Sequence, residues 1–337
     1  MKKITGITSL LMAAVTAFSL VGCSSSKPAA NDKQPAKKIV VGVSQIGAET
    51  EWRIAMTNNM KAAFDKAQFE LKFSDGQLKQ ENQIKAVRAF IQQKVDVIVL
   101  APVVQTGWDS VLKEALDAKI PVILANRGIT VASGNKEDLY VTFLGPDNTV
   151  AGKNSADFLV NTFKDRKDDV NIVELQGVVG SSSATERKIG FDTYMKDHPT
   201  FKTIKSQAGD NTRAKGKEIM EAILKSVKAE GKKIDALYSH SDDMAIGAAQ
   251  AMEEAGIKPG KDIVIVSVDG VKGSFEAMVA GKHNATNENP IDYGTPLVEM
   301  INKIVAGKGQ DIKKRTVMPY LIWTAAQAAA ELPNRKY

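Results

Sequence analysis

Short runs of valine, isoleucine and leucine recur along the chain from residue 39, and most of them lack the alternation of a half-exposed strand. A strand apolar at every position must be covered on both faces, as in the middle of a parallel sheet flanked by helices. Such runs fall at 39–44, 70–74, 95–100, 121–125 and 140–144, and again at 171–175, 203–208, 236–239 and 263–268. The stretches between them are spaced as helices of about 12–18 residues. In 80–93, Ile84, Val87, Phe90 and Ile91 form one stripe, and in 108–118 Val111, Leu112, Ala115 and Leu116 do the same. Repeated β-α-β units of this kind predict an α/β chain with doubly wound parallel sheets.

The rhythm breaks at Gly145-Pro146-Asp147 and resumes as a second series to about residue 287. A helix-like segment at 290–308 and a last strand-like run at 316–323 follow. A chain that builds one sheet, crosses to build another and crosses back makes two lobes joined by a hinge around a cleft. The expected lobes are 38–145 with 289–319, and 146–288 with 320–337.

The start of the chain reads as an address. Lys2 and Lys3 precede an apolar run from Ile4 to Leu20, too short and too broken by hydroxyls to span a membrane but suited to a signal peptide over residues 1–22. It ends in Leu20-Val21-Gly22-Cys23, small residues before a cysteine, which is the pattern of a bacterial lipobox. Cys23 is the expected lipidation site, and residues 23–37, with no aromatic or branched aliphatic side chain, read as a flexible tether. As Cys23 is the one cysteine in the chain, disulfide frameworks and thiolate metal cages are excluded. The net charge of +6 falls to 6 − 2 = +4 once Lys2 and Lys3 are removed, and no basic face with interleaved aromatics points to nucleic acid.

In open α/β sheets, ligands bind beyond the carboxyl ends of the strands, so the residues that follow each strand are the candidates. After the first come Glu49, Glu51, Trp52 and Arg53; after the fourth, Asn126 and Arg127. Arg187 lies one turn beyond the Gly/Ser loop at 177–183, Ser241, Asp242 and Asp243 follow 236–239, and Asp269-Gly270 follows 263–268. An aromatic ring suits the C–H face of a sugar, and planar guanidinium and carboxylate groups bond two neighbouring hydroxyls at once. Each residue also has a local alternative. Trp52 fits a core helix position, Ser241 and Asp242 fit helix caps, Asp269-Gly270 fits a turn, and Arg187 can pair with Glu186 or Asp192.

Catalytic patterns are missing. His198, His240 and His283 have no ligand spacing, so no metal is expected. Without a dinucleotide fingerprint, P-loop or nucleophile elbow, no cofactor is expected either. Asp242 and Asp243 are adjacent and diverge at a helix start, which leaves an extracellular glycosidase with no facing acid pair. The expected protein is therefore not an enzyme.

The runs at 77–89, with Gln80-Glu81-Asn82-Gln83-Ile84, and at 101–108, 173–180, 206–218, 240–247 and 254–262 carry a resemblance over nearly the whole body. The chain resembles the type I periplasmic-binding-protein family, the sugar-capturing components of ABC importers, and within it the galactofuranose-binding group. The resemblance implies sugar contacts from Trp52, Arg53, Arg127, Arg187 and Asp269, with Glu49, Thr50 and Glu51 bordering the ligand. Asn126 stands where the relatives carry aspartate, and Ser241 where they carry asparagine, two departures at ligand-binding positions. Implied partners are a monosaccharide, an ABC permease and, through it, an ATPase. The implied state is a monomer held by lipid at the outer face of the cytoplasmic membrane, as in a Gram-positive cell. A second reading has the same closed surface feeding a sensor kinase or chemoreceptor. A sugar-responsive repressor would need a DNA-binding helix-turn-helix before the first strand, where the export signal sits.

Overall fold

The computed structural model describes residues 37–132 and 139–337; the signal peptide, Cys23 and the tether to residue 36 lie outside the described residues. The body opens with β1 (Val40–Gln45), α1 (Glu51–Lys66), β2 (Glu70–Asp75), α2 (Gln80–Gln92), β3 (Val97–Leu100), α3 (Asp109–Asp117), β4 (Val122–Ala125) and β5 (Thr142–Pro146). It continues with α4 (Asn148–Thr162), β6 (Val170–Gln176), α5 (Ser182–Met195), β7 (Phe201–Ala208), α6 (Arg213–Ala229), β8 (Ala236–Ser239), α7 (Asp242–Glu254) and β9 (Val264–Asp269). It closes with α8 (Lys272–Val279), β10 (Ala285–Glu288), α9 (Gly294–Val305), β11 (Arg315–Met318), β12 (Leu321–Thr324) and α10 (Ala325–Glu331).

Two six-stranded sheets result, ordered β11-β5-β4-β3-β1-β2 and β12-β10-β9-β8-β6-β7. The unalternated runs behave as expected: all four residues of β3 and of β4 are buried. Helices cover both faces of the first sheet, with Trp52, Met56, Met60 and Phe64 of α1 in one cluster and Ala86, Val87 and Phe90 of α2 with Val111 and Leu112 of α3 in another. Leu116, expected on the apolar stripe of α3, is 44% exposed.

Three readings of the chain differ from the structure. The run at 316–323 is two strands in different sheets, with only Pro319 and Tyr320 between them. The chain leaves β11 at its carboxyl end, steps across to the facing edge of the other sheet and enters β12 from that end. β12 therefore runs antiparallel to β10, and the second sheet is mixed. Strand β10, Ala-Thr-Asn-Glu, lacks an apolar run, yet Thr286 and Asn287 are fully buried because their side chains bond Asp242 and Ser155.

In the second lobe, α4 packs on α5 with backbones in contact. A Cβ added at Gly152 would sit 2.0 Å from the Arg187 carbonyl oxygen, and one at Gly190 would sit 2.0 Å from that of Thr149. The missing side chains let the two helices approach, and that approach sets the height of Arg187 on its helix.

Candidate functional site

Both sheets share one winding, with the order reversing between β1 and β3 and, in the second, between β6 and β8. The carboxyl ends beside such switch points form a crevice. Here the two crevices face one another. The Gln105 amide donates to the Gly180 carbonyl at 2.8 Å and the Gly128 amide to Ser182 Oγ at 2.9 Å. On another rim the Glu51 amide donates to Asp243 Oδ2 at 3.1 Å, and Arg213 bridges Glu51 at 2.6 Å and Asp243 at 2.7 Å.

On the first lobe, Thr50 caps α1 by accepting from the Arg53 amide at 3.0 Å. The cap sets the helix so that Arg53 turns inward, where it donates to Glu49 Oε1 at 3.4 Å and to Asn126 Oδ1 at 2.9 Å. Asn126, at φ 66°, passes the connection on by donating to the Tyr293 hydroxyl at 3.1 Å. Arg127, 2% exposed, donates through Nη1 to the Val103 carbonyl at 3.0 Å, while its Nε is buried with no partner. Burial and the neighbouring Arg53 push its pKa down to about 9, so it is still a cation at pH 7.

Trp52 is 2% exposed within the hydrophobic cluster. Its indole donates to the Asn289 carbonyl at 2.6 Å, its ring meets Tyr293 edge-on, and Arg53 lies 4.8 Å from the ring centroid. The tryptophan thus serves as a floor under Arg53. Glu51 sits on the rim, its half-exposed carboxylate occupied by Arg213.

The second lobe presents Arg187 and Asp269. Arg187 pairs with neither Glu186, which accepts from Asn148, nor Asp192, which is bonded by Lys188. It donates instead to the His240 carbonyl and to the Tyr320 hydroxyl, and lies 3.7 Å from Asp269. Burial opposes its charge, but Tyr320 and Asp269 outweigh that and hold its pKa above the ordinary arginine value. The Asp269 carboxyl is pushed up to about 8, chiefly by burial, against the pull of Arg187. Asp269 sits at φ 133°, a conformation an L-residue rarely adopts. Asp242 holds that turn in place, accepting from the Gly270 and Val271 amides at 2.7 and 2.8 Å and from the Thr286 hydroxyl at 2.7 Å. Ser241 caps α7 and donates to the Asn211 carbonyl at 3.3 Å, so its hydroxyl is engaged on both sides.

Arg53, Arg127, Arg187, Glu49 and Asp269 are thereby brought within electrostatic reach of one another, from both lobes. Thr50, Trp52 and Asn126 hold Arg53, and Ser241 bonds the backbone of Asn211. Two residues escaped the sequence reading. Asn211, at φ 72° just before the cap of α6, has a buried Oδ1 without a partner, as does Asn289 immediately after β10. Asn211 follows β7 just as the recognised candidates follow their strands; Asn289 was hidden because β10 has no apolar run. The three histidines serve separately: His198 stacks on Tyr194, His240 bonds Glu174, and His283 bonds Ser267.

A family model described as a periplasmic binding protein domain matches residues 41–309. The chain belongs to this family. The galactofuranose-binding protein YtfQ of Escherichia coli is 46% identical over 301 residues, 89% of this chain and 92% of that one. The arabinose ABC transporter binding component of Shewanella sp. ANA-3, solved with α- and β-L-arabinofuranose, superposes with a TM-score of 0.83 at 44% identity, covering 88% of this chain and 95% of the other. A Mycobacterium smegmatis protein solved with β-D-fucofuranose gives 0.84 at 41% identity, covering 88% and 94%. The sheets described above are those of a type I periplasmic binding protein, a solute-binding protein and not an enzyme.

Proposed function

We propose that this periplasmic binding protein captures a monosaccharide in its furanose form between the two lobes and hands it, unchanged, to an ABC permease. One observation carries the reading. Among the buried polar atoms that have no partner within the protein, five belong to site residues of the two lobes: Nε of Arg127 and of Arg187, Oε2 of Glu49, and Oδ1 of Asn211 and of Asn289. Buried polar groups are nearly always bonded, and leaving one unsatisfied costs about 1–3 kcal/mol. Two donors and three acceptors contributed by both lobes match a compact ligand whose groups each donate and accept, as the hydroxyls of a sugar do. A simple anion supplies acceptors only and would leave Glu49 and the two asparagines unanswered. The relatives described with galactofuranose, arabinofuranose and fucofuranose narrow the proposed ligand to that ring form.

The mechanism needs no covalent step. A sugar held by one lobe recruits the bonds of the other as the hinge closes, and ligand free energy shifts the open–closed equilibrium toward the form a permease recognises. Titration calorimetry with a panel of furanoses and pyranoses tests this. The wild type releases heat with a furanose, and Arg127→Ala weakens that binding about a hundredfold, the loss of a charged donor to two hydroxyls. No heat with any sugar overturns the reading.

Cys23 is proposed to anchor the protein by lipid at the outer face of the cytoplasmic membrane, which keeps it at high effective concentration beside the permease. Cys23→Ala should move the protein from the membrane fraction to the medium or periplasm. Unaltered retention would refute the anchor.

A further inference from the structure

The three passages between the lobes are wired to the site by two tyrosines. Pro319 and Tyr320 alone join β11 to β12. The Tyr320 hydroxyl accepts from Arg187 Nη2 at 3.1 Å and donates to Asn148 Oδ1 at 2.8 Å. Asn148 opens α4 directly after the first passage, is 1% exposed, and donates in turn to Glu186, the residue beside Arg187 on α5. One phenol therefore ties two passages to one guanidinium. On the remaining passage, Tyr293 is fully buried and accepts from Asn126, which accepts from Arg53.

Arg187 needs such support. Its Nη1 is committed to the His240 carbonyl, its Nε is one of the unpartnered atoms, and Asp269 at 3.7 Å is too distant to fix the plane of the group. The Tyr320 bond is what remains to fix the orientation of the planar fork. A planar donor misplaced by a fraction of an ångström loses the geometry of a paired hydroxyl contact. Lobe opening must change backbone angles within these short passages, because the packed sheets on either side do not deform.

We infer that Tyr320 is a positioning residue for sugar binding: its hydroxyl orients Arg187 from the hinge passage itself, so that Arg187 is correctly set only when the lobes are closed. Tyr293 plays the corresponding part for Arg53 through Asn126. This rests on the sugar-capture reading, and the sugar need not touch Tyr320.

The test uses Tyr320→Phe, which keeps the ring against its apolar neighbours and removes only the hydroxyl. Affinity for the furanose that gives heat with the wild type should fall about tenfold, one bond to a charged group, and the melting temperature by about 2–4 °C, because buried Asn148 Oδ1 loses its donor. Because the phenol acts through Arg187, the double variant Tyr320→Phe/Arg187→Ala should bind no worse than Arg187→Ala alone. Additive losses, or wild-type affinity in Tyr320→Phe, overturn the inference. A second arm needs no sugar. In the full chain carrying Cys23→Ser, nitroxide labels at Lys85 and Lys225, exposed on α2 and α6, report the distance between lobes. Tyr320→Phe should shift that distribution toward longer distances, whereas a merely local packing residue would leave it alone. If the wild type binds no furanose, the sugar reading fails and this arm alone decides the inference: an unchanged distribution rejects it.

Discussion

Asp269→Asn should weaken sugar binding about a hundredfold and, above pH 8, raise the melting temperature of the ligand-free protein. The two effects share one cause. Asp269 is buried, its backbone is held at φ 133°, and its nearest cation, Arg187, is 3.7 Å away. Burial pushes its carboxyl up to about 8, far above the value of about 3.9 in an unfolded chain. A group that holds its proton more tightly when folded stabilises the fold most at low pH. Stability then declines as pH rises from about 4 to about 8, and the full penalty stands above that. Asparagine has no charge to desolvate, so the penalty disappears in the variant, and thermal melts at pH 8.5 should show a gain of at least about 2–4 °C, the size of a 1 kcal/mol change. What the variant loses is a carboxylate able to accept from two adjacent hydroxyls. For the same reason, wild-type affinity should rise between pH 7 and pH 8.5 as Asp269 ionises. Melting below the wild type at pH 8.5, or undiminished affinity, would show that Asp269 is a structural carboxylate held by Arg187.

Gly152→Ala carries the largest expected cost to stability. The new methyl carbon would lie 2.0 Å from the Arg187 carbonyl oxygen and 2.7 Å from the Phe191 amide nitrogen, both backbone atoms, so α5 must move as a unit. Overpacking of this kind costs about 3 kcal/mol. That corresponds to a fall of about 6–10 °C in melting temperature. Because the atom struck belongs to Arg187, sugar affinity should fall with it. Gly128→Ala is the control, since nothing lies within 4 Å of the added carbon there, and it should melt like the wild type. Equal melting of the two variants would mean that α4 and α5 have room to separate, and that Gly152 does not set the height of the arginine.

What could be read in the chain is what depends on neighbours in sequence. The buried runs of β3 and β4, the stripe of α2, and the cap formed by Ser241 are each decided within a few residues, by how often an apolar side chain recurs or whether a hydroxyl can reach an amide three positions on. Arg127 and Asp269 could be singled out because a polar residue at the carboxyl end of a buried strand is placed by the strand, and Arg187 because it falls one turn into the helix that follows such a strand's loop. Sequence spacing could not disclose what each would touch. Arg53 meets Asn126 across 73 positions, Arg187 meets Tyr320 across 133, and Trp52 meets Asn289 across 237. Tertiary structure alone made Trp52 a floor and Glu51 a rim latch, split 316–323 between two sheets, and buried the polar strand β10. Those outcomes depend on which surfaces the two sheets bring face to face. A residue's partners across that gap leave no periodic trace in the order of the chain.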